Sequence, residues 1–484
     1  METKSSINNL SFQLQYNGNT DGIALKKTTE NVIDRKFLPA LEQLLDKYSP
    51  EESVLTIESI TCDVKVEEND LNDVLTRKIM EQLEKQLVEK LSLAHQDQKP
   101  QSIELRFAET LLFYLQNGYM PWFATITTRQ QLNEFIIRLS GSTVSADIPD
   151  AFFKLLKQDE VVNRICNDFD DITFWAFFRF LLANTNEAII SIWQKDYTVF
   201  ITAKNLRVNT AVIAYLYKRA LLKSIALYQS SQALQVLAEV NQQFVQFFLA
   251  EAELEHKLFT GPSPAVLQLD SKLSNQVLQE ELVQKAASQI KATEADTLNQ
   301  TKDKAEKDND PKKKDAKSVS DPVYINNSGL VIIAPYLGMF FKKMDVTDDE
   351  NKITKPVKAI TLLNYIATGS KTFAEFEIVF PKLLCGLEPD FALTAPYTVT
   401  PKDIEIINDL LTSVIHNWPI LKNTSIEGLR GTFLLREGKL TFKHNTHQLK
   451  VQRNAVDVLL EQLPWNINMI KLPWMEYLLT VDWI

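Results

Sequence analysis

The sequence predicts a mainly α-helical protein with small α+β units. We expect an N-terminal β-α-β-α unit, a central helical region, a charged linker, and a C-terminal helical unit with a β-hairpin. Two observations support this fold class: apolar residues recur at helical spacing over most of the chain, and period-2 alternation is confined to short stretches near both ends. Of the 484 residues, 45% are apolar and 24% are charged, which suggests folded cores and about three units at roughly 150 residues each.

Residues 1–98 are predicted to form the β-α-β-α unit. Ile7–Tyr16 alternates apolar and polar residues, as expected of a half-buried strand, and Ser53–Val66 repeats that alternation. Each predicted strand is followed by apolar residues at helical spacing, first in Phe37–Leu45 and then in Leu71–Leu93.

Residues 99–260 are predicted to form a helical domain. An aromatic cluster between Phe152 and Phe180 is interpreted as its core, because aromatic side chains bury the largest areas. The predicted helices are Ile103–Gly118, Thr128–Ser140, Pro149–Asn167, Ile172–Asn184 and a long one at Thr210–Leu258.

Residues 261–322 are predicted to be a charged linker, either disordered or helical. Pro262 and Pro264 end the preceding helical pattern, since proline cannot continue the hydrogen-bond ladder. The second half has no aromatic residue and too little apolar surface to offset the entropy of ordering, so we expect it to be disordered. Aspartates surround the basic run Lys312–Lys314, which favours a solvated tether over a nucleic-acid site.

Residues 323–484 are predicted to form the C-terminal helical domain. Leu440 and Phe442 are expected to pair with Leu449 and Val451 in a β-hairpin across a polar turn. The apolar run that starts near Leu330 is expected to lead into a short helix ending at Met344. Further predicted helices are Pro356–Thr368, Phe373–Leu384, one that follows a capping box at Thr400 and runs to His416, one after a capping box at Thr424, and Asn454–Leu463.

The sequence contains no catalytic or cofactor-binding pattern. Phosphate-binding loops, dinucleotide-binding glycine motifs, nucleophile elbows and HExxH motifs do not occur. His444 and His447 are the one close histidine pair, and we interpret them as turn residues because zinc sites need three or four ligands. The acidic clusters at 168–171 and 348–350 are interpreted as a helix N-terminus and a loop. We therefore expect no enzyme activity, no cofactor and no metal.

Charge and hydropathy predict neither a nucleic-acid nor a membrane partner. The net charge is -10 and the pI is near 5.3. The most apolar stretch, Ile172–Leu182, contains Arg179 and is shorter than the roughly 20 residues of a bilayer span. The N-terminus lacks the order of a signal peptide, and the three distant cysteines favour a reducing compartment. We expect the protein to be made and folded in the cytoplasm.

The C-terminus is rich in tryptophan and proline. Leu463-Pro464-Trp465 recurs as Leu472-Pro473-Trp474, and Trp483 follows. Tryptophan is the residue type most enriched at interface hot spots, so these side chains are candidates for contacts with a partner. The alternative is that they seal the C-terminal core, and the sequence leaves both open.

Several segments resemble the contractile injection system tape measure proteins of phage-tail-like particles. The resemblance covers about 1–95 and 323–484. Phe37-Leu38-Pro39 and Val54–Val66 are similar to the opening strand-helix-strand of the family. There Leu-Gly usually follows the acidic position, whereas Val64-Lys65 follows Asp63 here. The matching C-terminal segments are Tyr324–Val331, Tyr365–Gly369, Lys382–Leu387, His416–Pro419, Leu421–Arg430, Phe433-Leu434, Arg436–Gly438 and the closing LPW repeat.

The resemblance implies a non-enzymatic structural component that sets the length of the inner tube. It implies inner-tube, spike or baseplate proteins as partners, with self-association as a further expectation, and a location inside the tube after cytoplasmic assembly. We expect the C-terminal domain to dock at the spike or baseplate hub while residues 100–321 extend. The candidate interface or motif residues are Trp418, Pro419, Lys422, Asn423, Gly428, Arg430, Phe433, Leu463, Pro464, Trp465, Leu472, Pro473, Trp474 and Trp483.

Two other classes stay open at this point. One is an assembly chaperone or baseplate adaptor that stays folded and is absent from, or minor in, the mature particle. The other is an enzyme of unrecognised type. A compact chain of this length has a radius of gyration of about 23 Å, whereas one continuous helix would span roughly 730 Å. A literal ruler therefore requires the middle to extend, or several copies to act together.

Overall fold

The mainly α fold class with small β units is confirmed. The chain divides into two compact units, Met1–Thr110 and Leu111–Ile484. The four-domain division predicted from the sequence stays a prediction, and most of the predicted linker lies outside the described residues. The structure, a computed structural model, describes residues 7, 10–16, 22–48, 53–54, 57, 59–67, 74–97, 101–142, 145, 147–182, 187–202, 210–227, 321–421, 423–443 and 446–483.

Three helices dominate the first unit. α1 (Gly22–Val32) runs through a π-helical turn, Ile33–Phe37, into α2 (Leu38–Tyr48), and α3 covers Val74–Asp97. A small core forms around Leu25, Val32 and Leu75. The two predicted helical patterns of this unit are therefore confirmed.

The predicted strands of the first unit are largely wrong. Leu10–Tyr16 is described as irregular, and its alternating apolar side chains remain 42–51% exposed, although Phe12 packs edge-on against Phe37. Of the second predicted strand only β1 (Ser53–Val54) forms a ladder, and it pairs antiparallel with β2 (Gln101–Ser102). Residues 59–67 make their described hydrogen bonds to side chains of α3 instead of to another strand.

The second unit begins with a bundle of helices. Two predictions needed correction here: Pro149–Asn167 is broken into α6 and α7 by a turn at residues 156–158, and the sequence did not predict α9. The predicted helix Thr210–Leu258 is described only to Leu227. The helices are α4 (Ile103–Asn117, which contains the boundary between units), α5 (Arg129–Ser140), α6 (Asp147–Leu155), α7 (Asp159–Asp168), α8 (Asp171–Leu181), α9 (Glu187–Thr202) and α10 (Thr210–Leu227).

The aromatic cluster forms the core of this bundle, as predicted. Phe152 and Phe177 meet edge to face with ring centroids 5.3 Å apart, and Phe169 meets Phe177 in the same way. Phe174 and Phe178 stack at 5.8 Å. All five rings are at most 1% exposed, so their role is packing.

The C-terminal region, residues 321–483, belongs to the same unit and is also mainly helical. Thr400 caps α14 with a capping box, as predicted. The helix predicted at Phe373–Leu384 is a 3₁₀ turn followed by α13, the one predicted at Asn454–Leu463 is a 3₁₀ helix, and Ser425 rather than Thr424 caps the helix before Leu429. The elements are 3₁₀ helix Ser328–Tyr336, α11 (Leu337–Lys343), α12 (Pro356–Thr368), 3₁₀ helix Glu375–Ile378, α13 (Val379–Leu384), α14 (Pro401–Asn417), 3₁₀ helix Pro419–Leu421, α15 (Ile426–Leu429), π turn Arg430–Leu434 and 3₁₀ helix Ala455–Gln462.

A five-stranded sheet completes the C-terminal region. The predicted hairpin is confirmed, with Leu440 opposite Leu449, but Phe442 faces His447 and Val451 faces Gly438. The sequence did not predict the other three strands, which need long-range partners. The strands are β3 (Val323–Ile325), β4 (Gly438–Phe442), β5 (Thr446–Val451), β6 (Met469–Ile470) and β7 (Leu478–Asp482), in the order β3-β4-β5-β7-β6 with β5 and β7 parallel.

Candidate functional site

Trp418 and Phe433 of the C-terminal motif lie in the core. Their rings are 4.8 Å apart and at most 1% exposed. Trp418 closes the C-terminal end of α14, where its backbone N–H bonds to Val414. Its indole N–H is buried without a described partner, so this ring contributes packing alone.

The two Leu-Pro-Trp repeats fasten the C-terminal segment to two different helices. The Trp465 indole N–H donates to the carbonyl of Ile332 at 3.1 Å, and the Trp474 indole donates to Leu384 at 2.7 Å. Both rings are half-buried. Each indole therefore satisfies a backbone carbonyl more than 80 residues away in sequence.

Trp483 contacts an ion pair formed by Arg436 and Asp457. Its indole N–H donates to Oδ2 of Asp457 at 3.1 Å, and the guanidinium of Arg436 lies over its ring. Arg436 also pairs with Asp457 at 2.5 Å, and these interactions hold the pKa of Asp457 below its usual value, against the desolvation that raises it. Trp483 is 1% exposed.

Arg430 donates hydrogen bonds to the C-terminal end of α12. Its guanidinium donates to the carbonyls of Ile366 and Tyr365, at 3.0 and 3.2 Å, in the last turn of α12. The same group lies over the Tyr365 ring and beside Gly369, whose positive φ ends the helix. This satisfies carbonyls that have no partner within the helix.

The remaining motif residues are partly at the surface. Leu472 is buried, whereas Gly428 and Leu463 are half-buried. Lys422 lies outside the described residues. Those whose side chains are exposed are Pro419, Asn423, Pro464 and Pro473.

The tryptophans of the motif therefore make core contacts, although Trp465 and Trp474 stay partly accessible, and Pro419, Asn423, Pro464 and Pro473 are exposed. This is the position expected if the tryptophans seal the C-terminal core. Partner contact through the motif stays a prediction.

A buried ion cluster joins the helical bundle to the C-terminal region. It consists of Arg164 and Asp168 of α7, Glu375 and Lys382 of the C-terminal region, and Tyr114 of α4, all at most 2% exposed. Arg164 and Asp168 share one face of α7 because they are four residues apart. Charges this deeply buried are rare unless they are paired.

Glu375 is the centre of this cluster. Its Oε1 accepts from Arg164 Nε at 2.9 Å and from Lys382 Nζ at 2.8 Å. Its backbone N–H donates to Asp168 Oδ1 at 3.1 Å, and the Tyr114 hydroxyl donates to the other oxygen of Asp168. One carboxylate thus binds two cations that come from two regions of the chain.

Backbone carbonyls satisfy the rest of the Arg164 guanidinium. It donates to Leu115 at 2.7 Å, to Gln116 at 3.1 Å and to Asp390. Gly118, with φ +73°, leaves the space that the cluster occupies, because a Cβ there would lie 2.5 Å from Glu375 Oε1.

Burial sets the protonation of the cluster. Desolvation, followed by the charge of Glu375, raises the pKa of Asp168 to about 7. Desolvation also lowers the pKa of Lys382, with Arg164 adding to the effect and Glu375 opposing it. The charged groups bond to one another or to the backbone, which is the arrangement of a structural ion cluster rather than of a catalytic site.

Comparison with known proteins identifies the family. The family model described as contractile injection system tape measure protein matches residues 4–483. The chain belongs to this family. The match also includes the middle of the chain, which the sequence motifs did not cover. No curated protein and no solved structure matches the chain.

Membership in the tape measure family makes this protein a structural component of a contractile injection system, and the family is not an enzyme class. Within the described parts of the chain, no three His, Cys, Asp or Glu residues lie close enough to hold a metal ion. None of the described helices is both long and apolar enough to cross a bilayer.

Sequence reasoning missed the ion cluster of this tape measure protein. The acidic cluster was interpreted as a helix N-terminus. Asp170 caps α8 by accepting from the Thr173 N–H at 2.8 Å, and Asp171 is the first residue of that helix. Asp168, however, is the last residue of α7 and belongs to the ion cluster. A signal did exist: Arg164 interrupts the apolar face of α7, and Lys382 stands inside the apolar run of α13. A cation within an apolar face indicates a buried anion elsewhere in the chain.

Proposed function

We propose that this protein sets the length of the inner tube, with its C-terminal region docking at the spike or baseplate hub and residues 228–320 providing the reach. The family match supports the general role. The observation that carries the finer proposal is the ion cluster, which fastens the helical bundle to the C-terminal region.

The ion cluster limits which segment of the chain can extend without breaking buried ion pairs. Separating α7 from the C-terminal region would leave Glu375 or its two cations buried and unpaired, or expose their apolar surroundings to water. Breaking a buried ion pair in this way costs about 3–5 kcal/mol. We therefore place the extending segment after Leu227, rather than from residue 100 as the sequence had suggested.

The path of the chain limits the reach of that segment. Leu227 and Asp321 belong to the same compact unit, so in this proposal an extended segment between them would have to run outward and back. Reaching outward and back gives about 155 Å with extended arms and about 70 Å with helical arms. A longer reach requires the cluster to open or several copies to act in series.

Docking through the C-terminal region uses the exposed part of the motif. The 3₁₀ helices Pro419–Leu421 and Ala455–Gln462 pack against each other. Ile420 on the first is 38% exposed and Val458 on the second is 60% exposed. We propose that these side chains, with Pro419 and Asn423, contact the hub, since apolar groups rimmed by polar ones are typical of interaction sites.

A folded assembly chaperone or baseplate adaptor is the second candidate. The same ion cluster favours it, because the cluster keeps the helical bundle packed on the C-terminal region. This candidate differs from the first in one respect: the finished particle would lack the protein or contain little of it.

Tube length tests the proposal directly. Duplicating residues 261–320 should lengthen the tube, by about 45 Å for a helical segment that runs out and back, up to about 200 Å for an extended one after the cluster opens. Electron microscopy of purified particles gives the length. The same 60 residues placed ahead of Met1 serve as the control, since they leave residues 228–320 unchanged.

Unchanged length in the duplicated variant refutes length setting. A protein inventory of finished particles then decides between the remaining roles. Particles that assemble normally without containing this protein support the chaperone or adaptor.

A further inference from the structure

A row of polar side chains on α3 binds the backbone of residues 59–67. Lys78, Gln82, Gln86 and Lys90 are spaced four residues apart and so lie on one face of the helix. Each donates to a backbone carbonyl. The acceptors are, in the same order, Lys65 at 2.9 Å, Asp63 at 3.0 Å, Thr61 at 2.7 Å and Ser59 at 2.7 Å.

This pattern requires an extended backbone. Four residues of helix advance about 6.0 Å, and two residues of a strand advance about 6.7 Å, so every second carbonyl of a strand can meet every fourth side chain of the helix. Exposure alternates in the same register: residues 59, 61, 63, 65 and 67 are exposed, and residues 60, 62, 64 and 66 are half-buried. Residues 59–67 thus run as an extended, strand-like segment beside α3, although they form no backbone ladder among the described residues.

The other edge of this strand has no partner among the described residues. In a strand, the N–H and C=O of one residue point to the same edge, and those of the next residue point to the opposite edge. The groups of Ile60, Cys62, Val64 and Val66 therefore point away from α3. They make no described backbone bond.

The apolar face of the strand is also incomplete. Val64 and Val66 pack against the small core of Leu25, Val32 and Leu75, but their own side chains are only half-buried. An added strand would extend this face and cover the exposed half. Open edges of this kind are sites for strand addition.

We propose that this edge pairs antiparallel with the same edge of a second copy of the chain, with Val64 opposite Val64 of the second copy. Only the backbone groups of residues 60, 62, 64 and 66 point to this edge, so these residues must pair with residues of the same set in the second copy. The register with Val64 on the two-fold axis places Cys62 opposite Val66 and Asp63 opposite Lys65, each of them twice.

Cross-strand charge pairs favour this register over the one shifted by two residues. Shifting the pairing by two residues would place Asp63 opposite Asp63 of the second copy, and like charges in direct cross-strand contact are unfavourable. With Val64 on the axis, two Asp63–Lys65 pairs form on the exposed face. The edge is thus complementary to itself, as an interface with two-fold symmetry requires.

Charge reversal tests the pairing in the purified full chain. Asp63→Lys and Lys65→Asp each create two like-charge pairs, so each should raise the dimer dissociation constant about tenfold in sedimentation. The double variant Asp63→Lys/Lys65→Asp restores both pairs in reversed order and should return the constant to within about twofold of the original. A chain that stays monomeric up to about 100 µM, or a double variant as weak as the single ones, overturns the proposal.

Disulfide trapping tests the register. Residues 63 and 65 would form a non-hydrogen-bonded pair with Cα atoms about 4.5 Å apart, which a disulfide can bridge. In a Cys62→Ser background, a mixture of Asp63→Cys and Lys65→Cys chains should cross-link on mild oxidation, whereas neither chain should cross-link alone. Cross-linking of Asp63→Cys chains with each other, or no cross-linking in the mixture, contradicts the register. Neither measurement depends on tube length, so this inference stands or falls separately from the proposed function.

Discussion

Replacing Glu375 with glutamine tests whether the ion cluster holds the second unit together. Glutamine keeps the shape of the side chain and one oxygen, but it removes the single negative charge that both Arg164 and Lys382 contact, at 2.9 and 2.8 Å. The carboxylate is 1% exposed, so water cannot take its place. Two buried cations are left without their shared anion.

At pH 8 we expect Glu375→Gln to lower the free energy of unfolding by about 3 kcal/mol, which is the lower end of the range for a broken buried ion pair. The low end applies because Glu375 also raises the pKa of Asp168. At pH 8 Asp168 is already mostly ionised, so removing the Glu375 charge also relieves the repulsion between the two buried carboxylates. At pH 5 Asp168 keeps more of its proton, so the loss should increase toward about 5 kcal/mol.

Urea unfolding followed by tryptophan fluorescence measures this loss in the full chain. All seven tryptophans lie between Leu111 and Ile484, so the first unit does not contribute to the signal. Glu427→Gln is the matched control. Glu427 pairs with Arg430 at 3.8 Å but is 80% exposed, and exposed pairs contribute about 0.5 kcal/mol or less. A loss below about 1 kcal/mol for Glu375→Gln at both pH values would show that the cluster does not hold the unit.

Three further substitutions in the second unit follow from the structure. The pKa of Asp168 is raised to about 7 in the folded chain, whereas an aspartate in the unfolded chain releases its proton at about pH 4. Stability should therefore fall as pH rises from about 4 to 7, and Asp168→Asn should remove this dependence in urea titrations from pH 5 to 8. Trp474→Phe should cost about 1–2 kcal/mol more than Trp418→Phe in the same unfolding assay, since only the Trp474 indole N–H has a partner. Gly329→Ala should cost about 3 kcal/mol or more, because its Cβ would lie 1.7 Å from the Phe433 carbonyl oxygen.

Each of these has a contradicting outcome. An unchanged pH dependence in Asp168→Asn would assign the titration to another group. Equal losses for the two tryptophan variants would mean that the indole bond to Leu384 adds no stability. Gly431→Ala is the control for Gly329→Ala, because nothing lies within 4 Å of its added Cβ. A loss in Gly329→Ala no larger than in this control would contradict the close packing.

Local signals in the sequence were enough to predict much of the helical structure. Thr400 caps α14 through a bond from Asp403 N–H to its hydroxyl at 3.2 Å, and its two partners are only three positions apart in sequence. The hairpin was equally local, since Leu440 and Leu449 pair although they are only nine residues apart in sequence. Such elements depend on neighbours in sequence and can be predicted without knowledge of the fold.

The sequence did not predict features that depend on distant partners. Arg164 and Glu375 are 211 residues apart, and no local pattern predicts that they meet. The parallel pairing of β5 with β7 likewise requires the rest of the region to be folded. The strand predicted at Ile7–Tyr16 failed for the converse reason: its alternation is correct for a strand, but no strand lies beside it among the described residues.

The short edge strand β3 has a mechanical consequence for a chain that is pulled through residues 228–320. Tension entering at Asp321 first meets β3, which is paired with β4 over only three residues. Directly beyond it, the Ser328 N–H and hydroxyl both bond to the Arg436 carbonyl, at 3.0 and 2.7 Å, and Gly329 is wedged against Phe433. A pull is therefore expected to break the three residue pairs at the sheet margin first and then to meet the contacts of Ser328 and Gly329, which pass the load to Arg436 and to Phe433 in the core.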